Sequence, residues 1–324
     1  MSKNLAVIGS GTIAPSHIEA AINAGFIISS ISASQDSESA KILKTKYEIP
    51  KYFSNVSDLL IDNSFDCLSI MIPPAAAEKI LPEVAALNKP TLIEKPVALS
   101  SKFLENFTHK QDIFVAFNRR FYETIASSKI ISTKEKGIYS FDIVERLNSN
   151  QTVYESIKST IINNSIHIVD LIQYLVGNYE LNEFIFSKTN NTLLVRIFVG
   201  NDYAGELKIS FNSKRNTKIE FESSNINLLL KPLEILQKFN DLKIIEPTIN
   251  TPIRLYSPFW NDEKTFGNVH ESGPFKPGFA EQYIEFFNFS EKNIKPLRLA
   301  TLKDAQSAIR ICEILIEQYG NNLN

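Results

Sequence analysis

Short apolar runs alternate with longer segments of helical period over residues 1–120 of the chain. Strands buried in a parallel sheet read as continuous apolar runs, whereas the covering helices repeat their apolar residues every three or four positions. The alternation therefore predicts an α/β domain, a doubly wound parallel sheet of the Rossmann type. The predicted strands are 5–8, 26–33, 66–72, 91–94 and 113–117, and the predicted helices are 15–24, 37–47, 75–87 and 100–107.

The pattern changes after Arg120, where one helix is followed by strands without helices between them. The helix is predicted over 165–176, and Gly177 ends it. Strands are predicted over 192–199, 203–211 and 217–221, with one apolar and one mixed face. We therefore expect a dinucleotide-binding domain over 1–120 and an α+β domain over 121–324 with an open, mainly antiparallel sheet. Helices at 278–289 and 301–318 close the chain, and the last can pack back on the first domain.

Charge and apolar content limit the classes of partner. Lys plus Arg number 34 against 36 Asp plus Glu, a net charge of −2 without long blocks of one sign. This balance argues against binding to nucleic acid or to an anionic membrane. Prolines and charges interrupt the apolar stretch 65–87, and no signal peptide is recognisable, so we expect a cytoplasmic protein. Cys67 and Cys312 are expected to be buried free thiols, and no metal site is expected.

A glycine-rich turn follows the first predicted strand and opens the first helix. It reads Gly9-Ser10-Gly11-Thr12-Ile13-Ala14, the context that a dinucleotide-binding fingerprint requires. Gly9 permits the tight turn, Gly11 lets a pyrophosphate approach the backbone, and Ala14 allows close packing of helix on strand. Gly9, Gly11, Thr12 and Ile13 are therefore predicted to bind the cofactor.

The end of the second strand leaves the cofactor open between NAD and NADP. An NAD site usually presents a carboxylate there, and an NADP site an arginine. Here the positions hold Ser34 and Gln35. Asp36 is an alternative source of the carboxylate, although it is expected rather to start the next helix. Both Ser34 and Gln35 are predicted to contact the cofactor.

Glu94, Lys95 and Pro96 stand at the carboxyl end of the strand 91–94, the edge at which doubly wound sheets bind ligands. A surface ion pair is the simpler interpretation. Several other segments belong to the same pattern: the glycine turn, Ile72-Pro73-Pro74, Asn88 to Val97, Phe117-Asn118-Arg119-Arg120-Phe121, residues 163–170 and the helix beginning at 302. Together with Glu94, Lys95 and Pro96, these segments resemble the Gfo/Idh/MocA family of NAD(P)-dependent oxidoreductases. Members of that family act on sugars, inositols or nucleotide sugars.

The resemblance implies roles for individual residues. Lys95 would lie beside the nicotinamide and the reacting hydroxyl, and His167 would be the base. The aspartate that precedes this histidine by four positions in the family is Asn163 here, and Ala77 replaces a second family histidine. Asp170 is an alternative group to orient His167. Pro73 and Glu94 are implied cofactor contacts.

The remaining candidates concern the substrate. Of Arg119 and Arg120, one is expected to meet substrate and the other a structural carboxylate; Tyr122 is a further candidate. Residues 247–277 show no regular period and are expected to form either a substrate-selecting loop or a plain crossover. In that segment the candidate substrate-binding residues are Arg254, Trp260 and Lys276.

No catalytic role is expected of two other histidines. His17 is expected to pack near the dinucleotide loop, and His109 is expected to face solvent.

These observations predict hydride transfer between nicotinamide and a secondary alcohol of a sugar-like substrate, such as a nucleotide sugar or acidic sugar for surface polysaccharide. A sensor or regulatory subunit that binds the dinucleotide without turnover is the alternative, because Asn163 cannot carry charge. Reduction of an imine or a non-sugar carbonyl is a third. The resemblance also implies a homo-oligomer formed through the C-terminal sheet.

Overall fold

The computed structural model describes residues 2–250, 252–260 and 275–323. The chain divides into two compact units that interleave along the sequence. The first comprises 1–121, 161–170 and 272–316, and the second 122–160, 171–271 and 317–324, as far as these residues are described. The expected domain boundary after residue 120 stays a prediction.

The strands and helices alternate through the first third of the chain and separate later. In chain order the strands are β1 (Lys3–Ile8), β2 (Phe26–Ser32), β3 (Lys51–Phe53), β4 (Cys67–Ile70), β5 (Thr91–Ile93), β6 (Ile113–Val115), β7 (Gly137–Glu145), β8 (Glu180–Ser187), β9 (Thr192–Val199), β10 (Asp202–Phe211), β11 (Lys218–Ser223), β12 (Asn227–Leu230), β13 (Leu236–Ile245), β14 (Leu255–Trp260) and β15 (Ala300–Thr301). The helices are α1 (Ala14–Ala24), α2 (Glu38–Lys46), α3 (Val56–Asp62), α4 (Pro74–Leu87), α5 (Ser101–Leu104), α6 (Glu123–Ser132), α7 (Val153–Thr160), α8 (Ile166–Val176), α9 (Phe279–Lys292) and α10 (Leu302–Leu323).

The first unit contains the predicted parallel sheet, in the order β15-β6-β5-β4-β1-β2-β3. All neighbouring strands in it are parallel except β15, which pairs antiparallel with β6. Residues 5–8 of β1 and all of β4 are buried, which explains why these strands are mainly apolar. Helix α9 belongs to the same core, because Phe279, Tyr283 and Phe286 pack with Phe26 of β2.

The second unit contains the predicted mainly antiparallel sheet, in the order β14-β13-β12-β11-β7-β10-β9-β8. Within this sheet, the β10 and β7 pair is parallel, and the other pairs of described strands are antiparallel. The expected apolar face is buried, including Leu193, Val195 and Leu207. Glu206 on the opposite face lies across from Arg196 of β9.

Several elements differ from the predictions. Strand β3 and helix α3 lie between the predicted helix 37–47 and strand 66–72, where three-residue and seven-residue elements give too short a pattern to recognise. The helix predicted from residue 165 is preceded by a π-helical turn, Ile161–Ser165. The stretch 247–277 was wrongly expected to lack regular structure throughout, because its residues Leu255–Trp260 form β14 against β13.

Both cysteines are buried and free, as expected. Among the described residues, none of the helices combines the length and apolar character that crossing a membrane requires. The cytoplasmic location stays a prediction.

Candidate active site

A tight glycine turn joins β1 to α1. Gly9 has a φ of 107°, in the region that favours glycine, and its N–H donates to the carbonyl oxygen of Ser32 at 2.8 Å. A Cβ at Gly9 would overlap the backbone carbonyl of Met71, just after β4. A larger residue would therefore separate β1 from β4, which explains the first glycine of the fingerprint.

The start of α1 is open to a ligand. A Cβ at Gly11 would meet no atom within 4 Å. The N-cap residue Ile13 makes no side-chain hydrogen bond to the helix, and the first turn contains Pro15 but no acidic residue. Free backbone N–H groups and the positive end of the helix dipole are favourable for a phosphate. Gly11, Thr12 and Ile13 thus fit the pyrophosphate of a dinucleotide.

Ser34, Gln35 and Asp36 follow β2 at the place where a dinucleotide site reads the 2′ position of the ribose. Ser34 and Gln35 are both exposed. Asp36 does not start the next helix as expected, since Ser37 is the N-cap and its side chain accepts a hydrogen bond from the N–H of Ala40. Asp36 instead occupies a left-handed turn with a φ of 61°.

A serine cluster connects the glycine turn to α2. The Oγ of Ser10 lies 3.0 Å from the Oγ of Ser37 and 2.8 Å from that of Ser39. Sequence reasoning missed this contact, although a serine between the two fingerprint glycines and a Ser-x-Ser at the start of α2 were visible. The cluster fixes the relative position of two segments predicted to hold the cofactor.

Lys95 follows β5 and contacts the main chain of Asn163. The Nζ of Lys95 donates to the backbone carbonyl oxygen of Asn163 at 2.6 Å. The N–H of Lys95 donates to Oε2 of Glu94 at 3.0 Å. The contact with Asn163 uses its main chain, so it does not depend on whether residue 163 is asparagine or aspartate.

His167 lies at the start of α8, one helical turn after Asn163. Its ring is 6.1 Å from the ring of Phe117 in an edge-to-face arrangement. The residue as a whole is partly exposed, but Nδ1 is buried and has no hydrogen-bond partner among the residues that the structure describes. Burial first, and then the positive charges of Lys95, Arg119 and Lys276, hold the pKa of His167 well below 6.5. The imidazole is therefore neutral at pH 7 and able to accept a proton.

Asp170 does not orient His167 through Nδ1, contrary to the alternative considered above. Its two carboxylate oxygens accept hydrogen bonds from Arg120 at 2.8 and 2.6 Å, and Arg120 also lies 3.5 Å from Asp304. Burial raises the pKa of Asp170 to about 6, while the guanidinium of Arg120 opposes that shift. Arg120 is therefore the arginine that meets structural carboxylates. The substrate contact expected of Arg119 stays a prediction.

His17 is more than a packing residue, because it lies in a buried polar chain behind Lys95. Its Nε2 is 2.8 Å from Oε1 of Glu94, and its Nδ1 is 2.9 Å from the hydroxyl of Tyr283. That hydroxyl lies 2.6 Å from the Oγ of Ser69. An ionised Glu94 only accepts, so His17 donates from Nε2 and accepts from Tyr283 at Nδ1. Nothing in the sequence pattern connected these four positions.

The other candidates are distributed over both units. His109 is exposed, as expected, and Pro73 is exposed at the start of α4, whose Ala77 is buried. Tyr122 caps α6 and Arg254 precedes β14 in the second unit, where Arg254 pairs with Glu246 at 2.9 Å. Trp260 ends β14. The roles of Tyr122, Arg254 and Trp260 stay predictions.

The fold and the glycine turn are those of a dinucleotide-binding domain, and a sequence comparison agrees. Residues 3–111 match the Gfo/Idh/MocA profile, which describes an oxidoreductase family with an NAD-binding Rossmann fold. Over these residues the match confirms the resemblance predicted from the sequence. A comparison with curated proteins gave no significant match.

Solved structures share the fold over nearly the whole chain. An oxidoreductase from Agrobacterium radiobacter, in complex with NAD+, L-tartaric acid and magnesium, matches with a TM-score of 0.75 at 15% identity, over 99% of this chain and 97% of that one. A levoglucosan dehydrogenase with NADH and levoglucosan gives 0.76 at 14%, over 99% and 98%. The myo-inositol dehydrogenase from Lactobacillus casei, with NAD(H) and myo-inositol, gives 0.73 at 15%, over 97% and 93%.

Proposed function

We propose that this protein is an NAD-dependent dehydrogenase that interconverts a secondary alcohol and a ketone in a sugar-like substrate. The observation that carries the proposal is His167, whose buried Nδ1 has no partner, one turn after the residue that Lys95 contacts. A buried nitrogen without a partner is unfavourable, and a substrate hydroxyl bound here would supply the missing hydrogen bond. Similar folds that bind levoglucosan or myo-inositol support the sugar-like substrate.

Each residue has a defined part in the proposed reaction. NAD, when bound, accepts the hydride from the alcohol carbon and becomes NADH. His167 takes the hydroxyl proton on its neutral imidazole, so the products are ketone, NADH and a protonated histidine. The ammonium of Lys95 stabilises negative charge on the substrate oxygen as the proton leaves.

Asn163 supports this arrangement through its backbone. Its carbonyl oxygen holds the Nζ of Lys95, and the amide side chain can hydrogen-bond but cannot carry charge. Asparagine in place of the family aspartate at position 163 therefore changes the charge near His167 but leaves the backbone contact with Lys95 in place. This supports an active enzyme over a silent relative.

Replacement of Lys95 tests the proposal. We expect Lys95→Met to lower the oxidation rate by about 10²- to 10³-fold, the usual effect of removing a positioned electrostatic donor. NADH affinity, measured by fluorescence titration, should change little because the glycine turn holds the pyrophosphate. Lys102→Met, at an exposed lysine of α5, is the matched control. A Lys95→Met protein that keeps most of its activity on inositols, anhydrosugars, hexoses and hydroxy acids contradicts the assignment.

We further propose that a second copy of the chain covers the mixed face of the second sheet. This face carries half-exposed Ile138 and Tyr203 beside the charges of Glu206, Lys218 and Glu220. Lys218 pairs with Glu220 at 2.9 Å, and a two-fold contact can set such acidic and basic groups against each other. The molar mass in solution tests this, and Ile138→Lys should shift a dimer to monomer. A wild-type monomer at micromolar concentration contradicts it.

A nucleotide-sugar substrate and a part in surface polysaccharide synthesis stay predictions from the sequence. Use of NADP also stays a prediction.

A further inference from the structure

Three segments of the first unit converge around His167. Lys95 reaches the turn that precedes the histidine, and Phe117 packs edge-to-face on its ring. The side-chain N–H of Asn118 donates to the carbonyl oxygen of Pro277 at 2.9 Å. A Cβ at Gly278 would overlap the backbone carbonyl of Asn118, so these two segments approach closely.

Two basic residues are the sequence neighbours of the residues that form the hydrogen bond between Asn118 and Pro277. Arg119 follows Asn118, and Lys276 precedes Pro277. Arg119 is partly exposed and Lys276 is exposed, so both can reach a ligand. Within the described part of the chain, neither has a carboxylate at ion-pair distance, and the contact recorded for Lys276 is with the ring of Phe279, 5.6 Å away.

Two of the carboxylates that adjoin these segments in the sequence are bound by other side chains. Glu94 is hydrogen-bonded to His17, and Asp170 is bound by Arg120. Asn163 adds no charge. Burial is the main cause that lowers the pKa of His167, and the positive charges of Lys95, Arg119 and Lys276 lower it further, so all three cations act on this ring.

Unpaired basic groups beside a catalytic residue favour an anionic ligand. Arginine binds carboxylates and phosphates through two parallel N–H bonds, and lysine adds a compact charge. We propose that Arg119 and Lys276 bind a carboxylate or phosphate group of the substrate, so that the enzyme acts on a hydroxy acid, an acidic sugar or a sugar phosphate. This inference rests on the dehydrogenase function proposed above and names its substrate class.

Matched ligands test the proposal by binding, independently of turnover. The protein saturated with NADH is titrated calorimetrically with D-glucuronate and with D-glucose, which differ in one carboxylate, and with L-tartrate and inorganic phosphate. We expect at least one anion to bind at least about tenfold more tightly than glucose, since a charged hydrogen bond contributes about 1.5–3 kcal/mol. Its affinity should fall as salt rises.

Substitutions assign the effect to the two residues. Arg119→Gln and Lys276→Gln should each weaken anion binding at least about tenfold. Arg119→Lys should recover part of the loss, and Lys102→Gln should change nothing. NADH affinity should stay within about twofold in all variants, because the cofactor phosphates bind at the glycine turn.

Each outcome separates this inference from the proposed function. If neutral polyols bind and react as well as the acids, and the variants have no effect, the anion site is wrong while the dehydrogenase stands. If anions bind through Arg119 and Lys276 but no compound is oxidised, the anion site stands and the dehydrogenase is wrong. If no anion binds, or if Arg119→Gln weakens NADH as strongly as the anion, the inference is overturned.

Discussion

Removal of a single hydroxyl, in Tyr283→Phe, should destabilise the first unit. Tyr283 is fully buried, and its hydroxyl is bonded to Nδ1 of His17 and Oγ of Ser69, both 1% exposed. Phenylalanine keeps the ring contacts with Phe26 and Phe286, so no cavity larger than one oxygen forms.

The cost follows from the two partners that lose their bond. A buried polar group without a partner costs about 1–3 kcal/mol, so the variant should lose about 2–4 kcal/mol, with Ser69 able to rotate its hydroxyl. For a domain of this size that corresponds to a fall in melting temperature of roughly 5–15 °C. Without the Tyr283 hydroxyl, His17 should be less well ordered, and so should Glu94, which binds both His17 and the N–H of Lys95. We therefore expect kcat to fall by a larger factor than NADH affinity.

Thermal unfolding followed by circular dichroism measures the effect. Tyr52→Phe is the matched control, because its hydroxyl donates to the exposed carbonyl of Ser34 and water can replace it. The control should change stability by less than about 0.5 kcal/mol. If Tyr283→Phe is no less stable than Tyr52→Phe, the buried chain does not contribute as the geometry requires.

Four further predictions concern the cofactor and the base. His167→Ala should lower the oxidation rate by about 10²- to 10⁴-fold with unchanged NADH affinity, and a rate within twofold of wild type contradicts its role as base. The folded state holds the pKa of His167 below 6.5, so just below pH 6.5 the unfolded chain binds more protons than the folded one. The free energy of unfolding should therefore fall as the pH drops through about 6.5, and it should fall less in His167→Ala. Asn163→Asp should raise the pKa of His167 and move the acid limb of the rate profile to higher pH; an unmoved limb contradicts this electrostatic account. The exposed carboxylates of Asp36 and Glu38 should repel the 2′-phosphate, so that NADPH binds more weakly than NADH. Asp36→Arg should reduce the difference between the dissociation constants of NADPH and NADH, each measured by fluorescence titration.

The parallel sheet and its glycine turn could be predicted because each depends on local sequence. Strands β1 and β4 are short and mainly apolar, and a side chain at Gly9 would overlap the backbone of Met71. The chain from Ser69 through Tyr283 and His17 could not be predicted, because it joins residues that are 214 and 266 positions apart. Only tertiary packing brings such residues together.

The candidate site was partly predictable for a similar reason. Lys95, Asn163 and His167 were placed by resemblance, and the structure joins Lys95 to the backbone of Asn163. Which arginine is structural could not be decided from two adjacent positions. The answer depends on Asp170, which a helix places against Arg120.

Transfer of deuterium from labelled nicotinamide tests the central claim most directly. The protein is incubated with NADH deuterated at the reactive carbon and with keto forms of inositols, sugars and sugar acids, and the products are analysed by mass spectrometry. We predict one deuterium on the carbinol carbon of at least one product, with the transfer strongly reduced in both Lys95→Met and His167→Ala. Tight NADH binding without transfer to any of these compounds would instead identify a dinucleotide sensor, and transfer to imines alone would identify an imine reductase.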